Sequence, residues 1–194
     1  MRGDCIKLIT ETSNRQIAAY YLRACVGERL GGTFDAIHTN RAERVMEKTA
    51  RAQKAISSGD LGIDLGSRQE SEYFKWFLAC LLFGKPIQQE VARRAYVAFV
   101  NAGLTSPEAI QAAGWNRLVA VLDVAHYVRY DYSTATKLLD VCGQLTHDYG
   151  TLNHLFALSP NKAALSARLQ TFKGIGPVTA RIFLDDLAPM LFGS

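Results

Sequence analysis

The sequence lacks several patterns that define large classes of proteins. None of its four cysteines, Cys5, Cys25, Cys80 and Cys142, belongs to a Cys-x-x-Cys pair, so we expect neither a zinc site nor an iron–sulfur cluster. The longest apolar run, residues 76–84, is far shorter than the roughly 20 residues that a membrane span needs. The polar opening does not resemble a secretory signal. We therefore expect a cytoplasmic protein without a membrane partner and with reduced thiols.

Composition and charge exclude fewer classes of protein than these missing patterns do. The 194 residues include 22 Lys and Arg against 18 Asp and Glu, a formal net charge of +4, which permits a polyanionic partner without demanding one. A hydrophobic fraction of 48% is ample for a core, and no low-complexity run is present, so disorder is not expected as the main state. The length fits one domain, or one core with an appended segment.

Alternating β-branched runs are nearly absent and helical spacing dominates, which predicts an all-α fold. We divide the chain into an N-terminal helical extension, residues 1–66, and a helical core, residues 67–194. Helices are expected over residues 12–26, 40–57, 71–83, 87–102, a short stretch from Pro107, 115–122, 133–149, 152–158, 160–170 and 177–187. The basic segment 41–54 is either a phosphate-facing surface or a solvated helix face, the second being commoner.

Single residues mark some helix ends and core positions. Ser106 is expected to cap a helix whose first residue is Pro107, and Ser133 to cap the helix that follows residues 125–132. Trp76 and Trp115 lie in apolar helical patterns and are expected in the core, as is Val97.

The most informative segment is Phe-Lys-Gly-Ile-Gly-Pro-Val-Thr-Ala, residues 172–180. Gly174 and Gly176 allow a sharp turn and the close approach of another backbone. Pro177 suits the first position of a helix, whose opening amides have no intrahelical partner and favour an anion. Ile175 would anchor the turn, and Lys173 could reach a phosphate. This predicts a clamp on a nucleic-acid backbone that does not read sequence; the alternative is an ordinary turn.

This segment resembles the hairpin of the helix-hairpin-helix (HhH-GPD) base-excision DNA glycosylases, the endonuclease III superfamily, and more narrowly an endonuclease III-like subgroup. The likeness covers roughly residues 70–187. It includes Leu-Leu-Phe-Gly-Lys, which ends at Lys85, and the strings at 114–118 and 127–139. The hairpin at 169–187 is its most specific part.

The resemblance implies two helical subdomains with a DNA cleft between them. It also implies a monomer that binds double-stranded DNA with tolerance for sequence and extrudes a damaged base. In a bacterium such a protein would be associated with the nucleoid. Lys85 would fill the gap left by the flipped base. The DNA-binding residues that the resemblance and the clamp argument indicate are Lys173, Gly174, Ile175, Gly176, Val178, Thr179, Lys85 and Arg129.

The sequence departs from the family where the chemistry is done. Val178 occupies the position of the lysine that strand-cutting members use to form a Schiff base, which disfavours a lyase. The family's catalytic Asp would fall just beyond Ser194. Asp186 is a candidate for this role, although a surface acid near a helix end is the commoner interpretation. The family's cluster cysteines are absent too. We expect no cofactor and no metal, with a monovalent cation at the hairpin as an open alternative.

Three functions therefore remain open. The first is a DNA glycosylase of base-excision repair; the second is a catalytically silent DNA-binding or scaffold module. The third is a helical protein-interaction domain whose hairpin only turns the chain. The loop at 129–132 leaves alternatives as well: its charged and aromatic residues could contact DNA, or its tyrosines pack between helices while Arg129 pairs with Asp131.

Overall fold

The computed structural model describes residues 56–193, which lie in one compact unit that begins at Ala55. The helix expected over 12–26 and the basic segment 41–54 lie outside the described residues. Of the helix expected over 40–57, only residues 56 and 57 are described. Residues 56–66, which the sequence analysis places in the extension, contain Ile63 and Leu65, both buried in the core. This stretch therefore packs with the helical core.

The described residues form seven α-helices and no β-strand, which confirms the all-α prediction for this part of the chain. Short 3-10 turns at Gly59–Leu61 and Leu65–Ser67 precede the first helix. The helices are α1 (Glu70–Phe83), α2 (Gln89–Asn101), α3 (Pro107–Val124), α4 (Asp131–Asp148), α5 (Leu152–Ala157), α6 (Lys162–Leu169) and α7 (Pro177–Phe192).

Helix α1 is the central element of the fold. Nine of its 14 residues are buried, as expected for a helix that is apolar on nearly every face. It packs against α2, α5 and α7, and the Trp76 indole N–H donates a hydrogen bond to the Phe183 carbonyl of α7 at 3.1 Å. Helices α2, α3 and α4 pack in succession, and α6 and α7 form the hairpin. The C-terminal end of α1 thereby comes to lie beside the hairpin.

The N-terminus of α3 agrees with its prediction, whereas that of α4 does not. Ser106 Oγ accepts the Ala109 N–H at 3.1 Å, so the expected cap is confirmed. The expected cap at Ser133 is wrong, because α4 already begins at Asp131. The Asp131 carboxylate accepts the Tyr132 N–H at 2.7 Å, so α4 starts without Ser133.

Two side chains expected in the core lie at the surface. Trp76 is buried as predicted, but Trp115 is 39% exposed, and its indole N–H donates to Thr136 Oγ1. Trp115 directly follows Gly114, whose φ of 70° and ψ of 170° interrupt α3 and change the face that the next residues present. Val97 is 47% exposed. The buried face of α2 consists instead of Ala92, Ala95, Tyr96 and Phe99.

Candidate nucleic-acid interface

The hairpin turn, residues 170–176, connects α6 to α7 and is anchored by two buried side chains. Phe172 and Ile175 are 1% and 5% exposed, and the Ile175 N–H donates to the Phe172 carbonyl at 3.0 Å. Gly174 has φ of 95°, a conformation that residues with a Cβ rarely adopt. Gly176 is the N-cap of α7, and Pro177 is its first residue. The turn is thus held from inside, while both of its glycines are exposed.

The start of α7 presents unoccupied backbone donors. Within residues 56–193, the N–H groups of Gly174, Gly176, Val178 and Thr179 donate to no protein acceptor, and α7 has no side-chain cap. Gly174, Gly176 and Val178 are exposed. Free amides at the positive end of a helix dipole complement a phosphate oxygen. The turn can therefore receive an anion without rearranging.

Thr179 contributes to this surface through its backbone rather than its side chain. The side chain is 4% exposed and packs against Gly84, the residue that follows α1. A Cβ at position 84 would overlap Thr179 Oγ1. This close approach fixes the loop after α1 against the hairpin.

Lys137 of α4 lies beneath the hairpin turn, and the sequence analysis did not single it out. It is 6% exposed, and its Nζ donates to the Leu81 carbonyl at 2.7 Å, near the C-terminal end of α1. A Cβ on Gly174 would lie 2.8 Å from Lys137 Cγ, so the lysine stem fills the space under the glycine. Burial, together with the positive charge of Lys85, lowers the pKa of Lys137 to about 8.

A signal for Lys137 is present in the sequence. Its position follows Thr134 by three residues and precedes Val141 by four, and both are fully buried on the inner face of α4. A lysine in such a stripe is expected to reach a buried acceptor.

Lys85 and Arg129, two of the residues expected to bind DNA, both lie close to one aromatic ring. Lys85 Nζ is 5.7 Å and Arg129 Cζ 5.6 Å from the centroid of the Tyr130 ring, within the range of cation–π contacts. The Tyr127 hydroxyl donates to the Leu82 carbonyl at 2.6 Å and fastens this loop to α1. The hairpin turn, Lys85 and Arg129 are thus all held around the C-terminal end of α1. We call them the basic surface.

The alternative interpretation of the loop at 129–132 holds only in part. Tyr130 is partly buried against the core, but Tyr132 is 62% exposed and lies against Trp115. Among the described residues Arg129 forms no ion pair with Asp131; its guanidinium lies over Tyr130 instead.

Lys173 adds an exposed cation at the edge of the turn. Its Nζ lies 3.5 Å from Asp140 Oδ2, and its side chain is 87% exposed. Ion pairs of this kind contribute little to stability, since water and salt screen them. A phosphate can therefore replace Asp140 as the partner of Lys173.

Asp186 is not brought to the hairpin turn. Nine residues separate it from Pro177, which corresponds to about 13 Å along the axis of α7. One of its carboxylate oxygens accepts the Ser58 N–H at 2.6 Å. The neighbouring Asp185 lies 3.6 Å from Lys162 Nζ, at the start of α6. Both carboxylates are thus engaged away from the open amides.

The described residues contain neither a metal-binding cluster nor a membrane-spanning helix. In residues 56–193, no three His, Cys, Asp or Glu side chains are grouped so that they could hold a metal ion. In the same range, no helix has the length and apolarity required to cross a bilayer. Comparisons of the chain with protein-family models, curated proteins and solved structures give no match.

Proposed function

We propose that this protein binds the backbone of double-stranded DNA through the basic surface, independently of base sequence, in the manner of a base-excision-repair glycosylase. The observation that carries the proposal is the set of free amides at Gly174, Gly176, Val178 and Thr179. Lys173 lies beside these amides, and Lys85 and Arg129 are held on the same part of the fold. Backbone donors surrounded by cations suit phosphate and carry no information about bases.

The direct test is the affinity for a fluorescently labelled duplex, measured by anisotropy over a range of salt concentrations. We expect affinity to fall linearly with salt on logarithmic axes, because each phosphate contact releases condensed counterions. Duplexes of scrambled sequence should bind equally well. Absence of binding at low salt would contradict the proposal and favour a helical protein-interaction domain.

The variant Gly174→Glu tests where the DNA binds. A carboxylate at the turn repels phosphate, so we expect affinity to fall at least about tenfold. Gly103→Glu is the control for charge: Gly103 also has positive φ, at 71°, and it lies between α2 and α3. It introduces the same charge at a positive φ and should leave DNA binding unchanged. Because a Cβ at position 174 also meets the Lys137 stem, Gly174→Ala, which keeps that overlap without the charge, is the second control. Equal affinities of Gly174→Glu and Gly103→Glu would contradict the assignment to the hairpin.

Base excision is the finer part of the proposal. Duplexes that carry alkylated, oxidised or deaminated bases should release free base when incubated with the chain. The variant Asp186→Asn tests the candidate for the catalytic acid. A silent DNA-binding module is the second candidate, favoured by the contact of the Asp186 carboxylate with the Ser58 N–H. Binding without release of any base would support the silent module. Release that survives Asp186→Asn would exclude Asp186 as the catalytic acid.

A further inference from the structure

We propose that Lys137 is a positioning residue whose buried ammonium joins the C-terminal end of α1 to the hairpin turn, so that the charge on Lys137 sets the affinity of the basic surface for phosphate. The inference rests on the proposed function and deepens it, since it adds a regulation of the same surface by pH. Lys137 does not itself touch the DNA, because its side chain is 6% exposed.

The Lys137 stem directly supports Gly174, where a Cβ would lie 2.8 Å from Cγ and 2.9 Å from Cδ. The far end of the same side chain is fixed by the hydrogen bond from Nζ to the Leu81 carbonyl. A displacement of the ammonium must therefore move the stem on which the hairpin turn rests.

The Lys137 ammonium also acts electrostatically, on the carbonyls at the end of α1. Helix α1 ends beside the hairpin, and the free carbonyls at a helix C-terminus carry a partial negative charge that repels a phosphate. The Lys137 ammonium binds one of these carbonyls and compensates that charge. Deprotonation removes the compensation beneath the turn, so phosphate binding weakens.

The charge that changes between pH 7 and 9 is that of Lys137. Because Lys137 has a pKa of about 8, it is mostly protonated at pH 7 and mostly neutral at pH 9. Burial raises the pKa of Cys80 and of Tyr127, so both stay neutral across this range. The other ionisable side chains on the surrounding elements are Glu70, Glu72, Tyr73 and Lys75 on α1, Lys85 after it, Glu108, Arg117 and Asp123 on α3, His126, Arg129 and Tyr130 in the loop that follows, Asp131, Tyr132, Asp140, Cys142, His147 and Asp148 on α4, Lys173 on the hairpin turn, and Arg181, Asp185 and Asp186 on α7.

The test measures duplex affinity at pH 7 and pH 9 and at constant ionic strength. We expect the wild type to lose about tenfold in affinity, the size of one charge-assisted contact. Lys137→Met keeps the stem but removes the ammonium, so it should bind weakly at pH 7 and show no further loss at pH 9. Lys85→Met is the control: it removes a neighbouring cation and weakens binding, but its affinity should still fall with pH, at a somewhat higher pH than in the wild type, because the charge of Lys85 helps to lower the pKa of Lys137.

A second measurement needs no DNA and no variant. In the wild type, the amide NMR signals of Gly174 and Gly176 should shift with a midpoint near the pKa of Lys137, about pH 8. Signals that stay constant from pH 7 to 9 would overturn the coupling between Lys137 and the turn.

The binding results separate the two proposals. Equal wild-type affinity at pH 7 and 9, or a fall that persists in Lys137→Met, would overturn this inference and leave the proposed function standing. Absence of DNA binding at every pH would overturn both.

Discussion

Two helix N-termini of this molecule differ in what occupies their free backbone amides. At α5, the N–H groups of Leu152 and Asn153 donate to the two carboxylate oxygens of Glu70, at 2.6 and 3.0 Å. At α7, the N–H groups of Gly176, Val178 and Thr179 donate to nothing in the described part of the chain, and the nearby Lys173 is a cation. The first terminus is completed by the protein's own anion and joins α5 to α1. The second is left for an anion from outside.

The largest effect is expected from breaking the first terminus. Glu70→Ala removes two charge-assisted hydrogen bonds and should lower the free energy of unfolding by about 2–3 kcal/mol, measured by urea denaturation. Glu70→Gln retains one acceptor and should cost less. Neither variant should change the affinity for DNA, because Glu70 lies at the start of α1, whereas the hairpin lies beside the other end of that helix. A loss of affinity would show that the two termini are not independent.

Lys137, buried beneath the second terminus, should destabilise the fold while it is charged, because in the described residues it pairs with a carbonyl and with no carboxylate. Burial lowers the pKa of Lys137 from 10.5 to about 8, so above pH 8 the unfolded chain holds a proton that the folded chain has released. The stability of the wild type relative to Lys137→Met should therefore rise with pH, by about 2 kcal/mol between pH 7 and 9.5. Denaturation of both proteins at the two pH values measures this difference. A parallel pH dependence of the two would contradict it.

Val178→Asp would place a carboxylate at the second terminus, as Glu70 places one at the first. Val178 is 53% exposed in the first turn of α7, where a carboxylate interacts favourably with the helix dipole. We expect the variant to be more stable by about 0.5 kcal/mol and to bind DNA about tenfold more weakly. Val178→Asn is the uncharged control. A variant that gains stability without losing affinity would argue against phosphate at this helix end.

The smallest effects are expected at the edge of the second terminus. Lys173→Ala should change stability by less than about 1 kcal/mol, because its ion pair with Asp140 is exposed. It should also lower the dependence of binding on salt by about one phosphate contact. Asp140→Asn frees Lys173 and should strengthen DNA binding about two- to threefold, as one exposed charge pair is lost. Salt titrations of both variants test this, and changes in the same direction would contradict it.

The parts of the fold that depend on local chemistry were predictable. Ser106 and Pro107 form an N-terminus on their own, and the apolar run of α1 had to be buried. The start of α4 was missed because Asp131 supplies an acceptor that the sequence analysis assigned to Ser133. Trp115 was misplaced because its exposure depends on the break at Gly114 rather than on the apolar pattern around it.

The candidate site divides in the same way. The glycines of the hairpin indicated an open turn, since their conformational freedom is a local property. Lys137 was missed because its partner, the Leu81 carbonyl, is 56 residues away in the chain. The surroundings of Asp186 were equally hidden, since its hydrogen-bond donor is 128 residues earlier. Contacts over such separations depend on how distant segments pack together, which no single segment encodes.

Gly84 has a consequence for which sequences this fold accepts. Its φ of −72° and ψ of 3° suit any amino acid, so its missing side chain reflects a neighbour rather than a bend. That neighbour is Thr179, and the two positions share a volume of about one methyl group. Substitutions at 84 and 179 should therefore be tolerated in pairs: a chain that carries alanine at 84 should carry a smaller residue than threonine at 179.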